Sequence, residues 1–245
     1  MVNLVIREIS DKYTTDDLIK ILEILRSPGG CPWDREQTHK SIRNDALEEV
    51  YEVVDAIDNM DDAALCEELG DMLLQVVFHS RIAEEEGSFQ YSNVVDGICR
   101  KLILRHPHVF GNGNAQSSTE VLDMWDKIKK EEKHQSTYTE TLKSVPKTFP
   151  SLMRAAKVQK RALKAGAVYK DGKLQERLDA LNRAVGLDDK EEIRKAYGKL
   201  LFEVTALSQG FKLNAEQVLA EETEAFIDRF QEEEKAEGEK INFVF

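Results

Sequence analysis

The chain has 245 residues, of which 41% are hydrophobic and 33% charged, with only five prolines. That balance suits helices better than a β-sandwich and supplies enough apolar surface for one large domain or two modest ones. A formal net charge of -12 excludes extensive nucleic-acid backbone contact, since two polyanions repel, but leaves open a small anion neutralised by metal ions.

The opening stretch, up to Asp17, carries no apolar run of the length a signal or membrane anchor needs. Thr14-Thr15-Asp16-Asp17 is an N-cap pattern, and Leu18, Leu22 and Leu25 follow at helical spacing. Ser27 to Asp34, with two prolines and two glycines, must break that helix. Leu47, Val50, Val54 and Ile57 form one face of the next helix, and Leu65, Leu69, Met72 and Val76 one face of its successor after an Asn59 to Asp62 turn. A third spans about Val94 to Arg105, stopped by Pro107, which cannot continue the hydrogen-bond ladder. After the polar loop 111–118, a helix over Thr119 to Lys133 carries Trp125. His134 to Pro150 is the expected linker, followed by helices over Leu152–Lys164, Leu174–Val185, Glu191–Leu207 and Ala215–Phe230. From Gln231 the chain is acidic and expected to fray until Ile241–Phe245, which could dock. Cys31, Cys66 and Cys99 have no C-x-x-C spacing, so reduced thiols in a cytoplasmic protein are expected. The expected fold class is all-α.

Two acidic patterns carry the chemistry. Glu48-Glu49-x-x-Glu52 and Glu68-x-x-Asp71 lie on successive helices. Residues at i, i+3 project from one face, so antiparallel packing through the apolar faces would bring the pairs together. Carboxylates that close repel unless a cation neutralises them, and an all-oxygen set selects a hard ion, Mg²⁺ or Mn²⁺. Taken singly, either pattern in a chain with 46 acidic residues is more often a solvated helix face. Their pairing on two amphipathic helices is what argues for a site.

The pattern and its surroundings resemble the MazG nucleotide pyrophosphohydrolase family. Beyond the E-E-x-x-E and E-x-x-D pair, the matching blocks are Pro28 to His39, Glu67-Glu68-Leu69-Gly70-Asp71, Arg105 to Gly111, Trp125-x-x-Ile128-Lys129, Val145-Pro146 and Ala155 to Ala162. The resemblance implies an all-α bundle assembled as a homo-oligomer, with a dimer expected. It also implies Mg²⁺-dependent water attack on nucleoside triphosphates, releasing pyrophosphate. By position it implies Glu49, Glu52, Glu68 and Asp71 as metal ligands, with Glu48 a nearby helper. Lys101 and Arg105 would face the triphosphate, and Trp125 would stack on a base or anchor the packing. His39, His106 and His108 are expected to be structural, and Cys31 and Trp33 to pack their loop.

The resemblance divides the chain into a catalytic domain (1–133), a linker (134–150) and a second repeat (151–245). Aligning Gly198 with Gly70 puts Ala196 and Lys199 where Glu68 and Asp71 stand, and Glu176-Arg177-Leu178-Asp179-Ala180 where E-E-x-x-E stands. Ala225 falls opposite Lys101, and Arg229 matches Arg105. The second repeat is therefore expected to bind no Mg²⁺ and hydrolyse nothing, leaving dimerisation or regulation. Asn44-Asp45 and Leu104 also depart from the family pattern. A degenerate relative that senses nucleotides or a partner without turnover is the alternative. A di-iron bundle fits poorly, because Glu52 and Asp71 stand where Glu-x-x-His pairs would need histidine.

Overall fold

The computed structural model describes residues 12–132, 137–169 and 173–237. They are helical throughout, with no strand among them. The chain divides into two compact units, residues 1–128 and 129–245. The expected docking segment Ile241–Phe245 lies outside the described residues.

In the first unit, α1 (Thr15–Arg26) begins at a reciprocal cap. Thr14 Oγ1 accepts from the Asp17 amide, while the Asp17 carboxylate accepts from the Thr14 amide. The break after it needs glycine: Gly29 has φ 96°, and a Cβ on Gly30 would fall 2.2 Å from the Leu25 carbonyl oxygen. Arg26 then fastens the loop that contains the short α2 (Pro32–Glu36). Its guanidinium donates to the carbonyls of Asp34 and Gln37 and, at 2.7 Å, to Glu85. Trp33, expected to pack this loop, is instead exposed.

A 3-10 turn (Ser41–Arg43) leads into α3 (Asp45–Asp58), α4 (Asp62–Glu85), α5 (Tyr91–Arg105), the single turn α6 (Pro107–Phe110) and α7 (Ser118–Glu132). Leu22, Ile42, Val77, Phe78 and Ile82 form the core, with Leu18, Ile19, Leu25, Leu74 and Tyr91 against it. Burying each large side chain there contributes about 1.5–3 kcal/mol.

The pairing of α3 with α4 differs from expectation. The two helices do pack on each other, but not through the apolar stripe. Leu47, Val50, Val54 and Ile57 on α3 are each 44% or more exposed, and on α4 Leu69 and Val76 are exposed at 45% and 40% while Leu65 and Met72 are half-buried. The more protected positions of α3 are Ala46, Glu49, Val53 and Ala56. Small Ala46 and Ala56 let the helices approach, and the seam therefore carries Glu49, with the apolar stripe turned outward.

The second unit holds α8 (Tyr138–Lys143), α9 (Ser151–Lys164), α10 (Lys173–Gly186), α11 (Lys190–Gly210) and α12 (Ala215–Glu237). The segment expected to be a linker is in part folded into this unit. Thr137 caps α8, Val145 is fully buried, and Arg161 of α9 donates to the Thr141 carbonyl and, at 2.7 Å, to Ser144 Oγ. The chain expected to fray from Gln231 continues as helix to Glu237.

The α3–α4 hairpin recurs as α10–α11 at one constant offset of 128 residues. Helix starts (Asp45 and Lys173), left-handed turn residues (Met60 at φ 55° and Asp188 at φ 51°), capping aspartates (Asp61 and Asp189) and buried alanines (Ala56 and Ala184) all match. Asp61 accepts from the amides of Ala63 and Ala64, and Asp189 from those of Glu191 and Glu192. The repeat is a duplicated hairpin with no insertion in its turn.

Candidate metal centre

Because the α3–α4 seam runs through Glu49, the carboxylates meet inside it. One oxygen from each of Glu49, Glu68 and Asp71 lies within 4.8 Å of the others, and all three residues are half-buried. Burial holds Glu49 above the ordinary carboxylate range. The charges of Asp71 and Glu52 push the same way, against a lowering hydrogen bond from Gln75. Glu68 is raised too, by desolvation first and then by the charges of Glu52, Glu67, Asp71 and Glu49. Mutual repulsion in a partly dry seam is the physical condition a bound cation relieves. The donor set is all carboxylate oxygen, which fits a hard divalent ion and offers no thiol or imidazole to a soft one.

The other expected site residues stand apart from this trio. Glu52 is exposed on α3, close enough to raise both Glu49 and Glu68. Glu48 is exposed on α3. Lys101 is exposed and Arg105 half-buried on α5, a helix that packs against α4. Trp125, on α7, meets the His106 ring edge-to-face at 4.8 Å, and its indole N–H is buried without an acceptor among the described residues. His106 donates from Nδ1 to the Leu102 carbonyl at 2.6 Å.

Two residues on the seam face of α4 were not singled out from the sequence. Gln75 donates from Nε2 to Glu49 Oε1 at 3.4 Å. One turn on, His79 Nδ1 lies 2.8 Å from His39 Nδ1 with the rings stacked, and burial followed by the His39 charge holds His79 below the usual histidine value. The signal for both was in the spacing: Glu68, Asp71, Gln75 and His79 follow at 3, 4 and 4 along one helix face. His39 is thereby a packing partner, as its structural reading expected.

At the matching place in the second unit the acids are gone. Ala196, opposite Glu68, is buried, and Lys199, opposite Asp71, is an exposed cation. Arg177 stands opposite Glu49 and Glu203 opposite Gln75, and these two also meet, with Arg177 Nε 3.9 Å from Glu203 Oε2. The contact has kept its place while its charges have changed. An arginine in place of a carboxylate opposes cation binding.

Residues 37–110 match the MazG nucleotide pyrophosphohydrolase domain. Along 225 residues the chain is 38% identical to the nucleoside triphosphate pyrophosphohydrolase/pyrophosphatase MazG of Thermotoga maritima, covering 90% of this chain and 85% of that one. It is 40% identical over 228 residues to the nucleoside triphosphate pyrophosphohydrolase of Escherichia coli strain K12, covering 90% and 87%. It is also 40% identical over 230 residues to the uncharacterized protein YabN of Bacillus subtilis, where the match spans 47% of that protein.

The raised Glu49 and Glu68 carboxyls fix the sign of a pH effect. A folded chain that holds these protons more tightly than the unfolded one loses stability as pH climbs past the ordinary carboxylate value of about 4.3. In metal-free protein at neutral pH, Glu68→Gln is therefore expected to raise the melting temperature, and saturating divalent cation to raise that of the parent. Thermal scans in chelator showing Glu68→Gln below its parent would contradict the repulsion.

Proposed function

The chain belongs to the MazG nucleotide pyrophosphohydrolase family, and on that premise we propose that it cleaves nucleoside triphosphates, NTP or dNTP, to the monophosphate and pyrophosphate in nucleotide-pool house-cleaning. The observation that carries the reading is the convergence of Glu49, Glu68 and Asp71 in the α3–α4 seam. We assign these three as ligands of Mg²⁺, for which Mn²⁺ would substitute, with Glu52 as the fourth carboxylate. Such an ion supplies positive charge to phosphate oxygens and lowers the pKa of a water.

The chain's own groups do the rest. Gln75 orients Glu49 through its amide. Lys101 and Arg105, one turn apart on a helix packed against α4, balance triphosphate charge as it redistributes. Trp125 supplies the aromatic surface nearest in kind to a nucleobase. Glu48 is exposed and accessible to water, which suits the helper role. The second unit, whose matching seam carries Ala196, Arg177 and Lys199 in place of carboxylates, takes no metal and performs no hydrolysis in this reading.

We further read the chain as a homo-oligomer, with a dimer the simplest state. The support is the outward apolar stripe of α3 and α4, continued on α5 by Ile98, Leu102 and Ile103, each 45% or more exposed. A stripe of that kind exceeds what a monomeric surface usually leaves to water. No helix among the described residues is long and apolar enough to cross a membrane, so a lipid does not cover it by spanning. The three cysteines are free, which fits the cytoplasm.

Product analysis with a panel of NTPs and dNTPs and Mg²⁺ tests the reaction. Monophosphate and pyrophosphate are expected, and nucleoside diphosphate with orthophosphate would reject the reaction class. Asp71→Ala is expected to lower turnover at least about a hundredfold, the upper end for groups that merely support a metal ligand. Undiminished turnover in that variant would reject the site. Light scattering is expected to give at least twice the chain mass; the mass of a single chain would sink the oligomer reading.

A further inference from the structure

Several helices of this chain neutralise their own charges. Arg81 pairs with Glu84 and Glu85, Arg100 with Asp96, and Lys195 with Glu191 and Glu192, each three or four residues away on the same helix. Two helices of the second unit depart from this. α9 contains five Lys or Arg and no Asp or Glu, while α12 contains nine Asp or Glu against Arg229 and Lys235.

The unmatched charges stand in rows. On α9, Lys157, Lys160 and Lys164 occupy i, i+3 and i+7, and all three are exposed. On α12, Glu221, Glu224 and Asp228 occupy the same spacing and are exposed too. Residues so spaced share one helix face, so each row is a strip of one sign about 10 Å long. Among the described residues Lys157 and Lys160 meet no carboxylate, and Glu221, Glu224 and Asp228 meet no cation. Within one chain α12 meets α9 near the start of both helices, where Glu216 accepts from the Met153 amide at 3.0 Å. The two rows do not reach each other there.

Like charges at i, i+3 and i, i+4 repel, so each row destabilises the helix that carries it. A row of opposite sign and equal spacing relieves both helices at once, and every copy of the chain carries one. We infer that α9 of one copy docks on α12 of a second copy, with Lys157, Lys160 and Lys164 facing Glu221, Glu224 and Asp228. Exchanged about a two-fold axis, the contact forms twice and closes. It is separate from the apolar stripe of the first unit and does not depend on the chemistry proposed there.

Two charge-reversed full-length chains test it. Lys157→Glu, Lys160→Glu and Lys164→Glu together make both rows acidic. Glu221→Lys, Glu224→Lys and Asp228→Lys together make both rows basic. Every substitution is at an exposed position, and the single changes Lys160→Glu and Glu224→Lys repeat the test with less alteration. Each variant repels itself, but the acidic chain and the basic chain match each other at both contacts. When the two are co-expressed, native mass spectrometry is expected to show at least about nine-tenths of the two-chain assemblies holding one of each. Random pairing, with about half the assemblies mixed, is what a dimer held by the first unit's stripe alone would give, and it would overturn the inference. So would a mixture that stays monomeric. Random pairing together with retention of the parent chain on phosphocellulose would overturn it as well, by assigning the lysine row to a phosphate polymer.

Discussion

Three carboxylates share one helix seam, and their repulsion is the constraint on which the first unit turns. Glu49 enters the α3–α4 contact because α3 approaches through Ala46, Glu49, Val53 and Ala56 rather than through its apolar stripe. Glu68 and Asp71, one turn apart on α4, meet it there with oxygens within 4.8 Å. Each loses water, and each raises the cost of ionising the next. A divalent cation held there would turn the same arrangement from a liability into a folding contribution, since it would bind the native hairpin and not the open chain.

The same choice of face explains the outward apolar surface. A helix that spends its inner face on acids has to bury its valines and leucines elsewhere, and Leu47, Val50 and Val54 are left for another surface. The acidic seam and the exposed apolar stripe are thus two consequences of one rotation of α3. The core of α1 and α4, with Arg26 tying the Pro-Gly loop to Glu85, holds the hairpin from behind.

The duplicated hairpin is a natural control on that logic. Across a constant offset the second copy keeps the cap, the left-handed turn residue and the buried alanine, which are the features the backbone requires. It changes the seam. Glu49 with Gln75 becomes Arg177 with Glu203, and the acid at 68 becomes the buried Ala196. Between the two copies the scaffold is kept while the charges of the seam are changed.

The order of the long helices was legible in the sequence because caps, Gly-Pro breaks and 3.6-residue spacing are local signals, whereas the short α2, α6 and α8 are too brief to show a period. The acidic residues were legible for the same reason, and Glu49, Glu68 and Asp71 do come together. Which face of α3 would pack was not legible. Apolar periodicity marks a face that avoids water without saying whether the same chain covers it, and here Leu47 and Val54 remain exposed. Gln75 and Glu203 escaped notice because their importance lies in one long-range contact each. The folded stretch around Val145 escaped too, since its polar composition hides a fully buried side chain. The central claim is that the α3–α4 seam binds a divalent cation and the α10–α11 seam does not. Titration with Mn²⁺ followed by electron paramagnetic resonance of the free ion tests it on the full chain and on Asp71→Asn. Saturable binding in the parent that disappears in Asp71→Asn is the expected result; no saturable binding in the parent, or undiminished binding in Asp71→Asn, would contradict it.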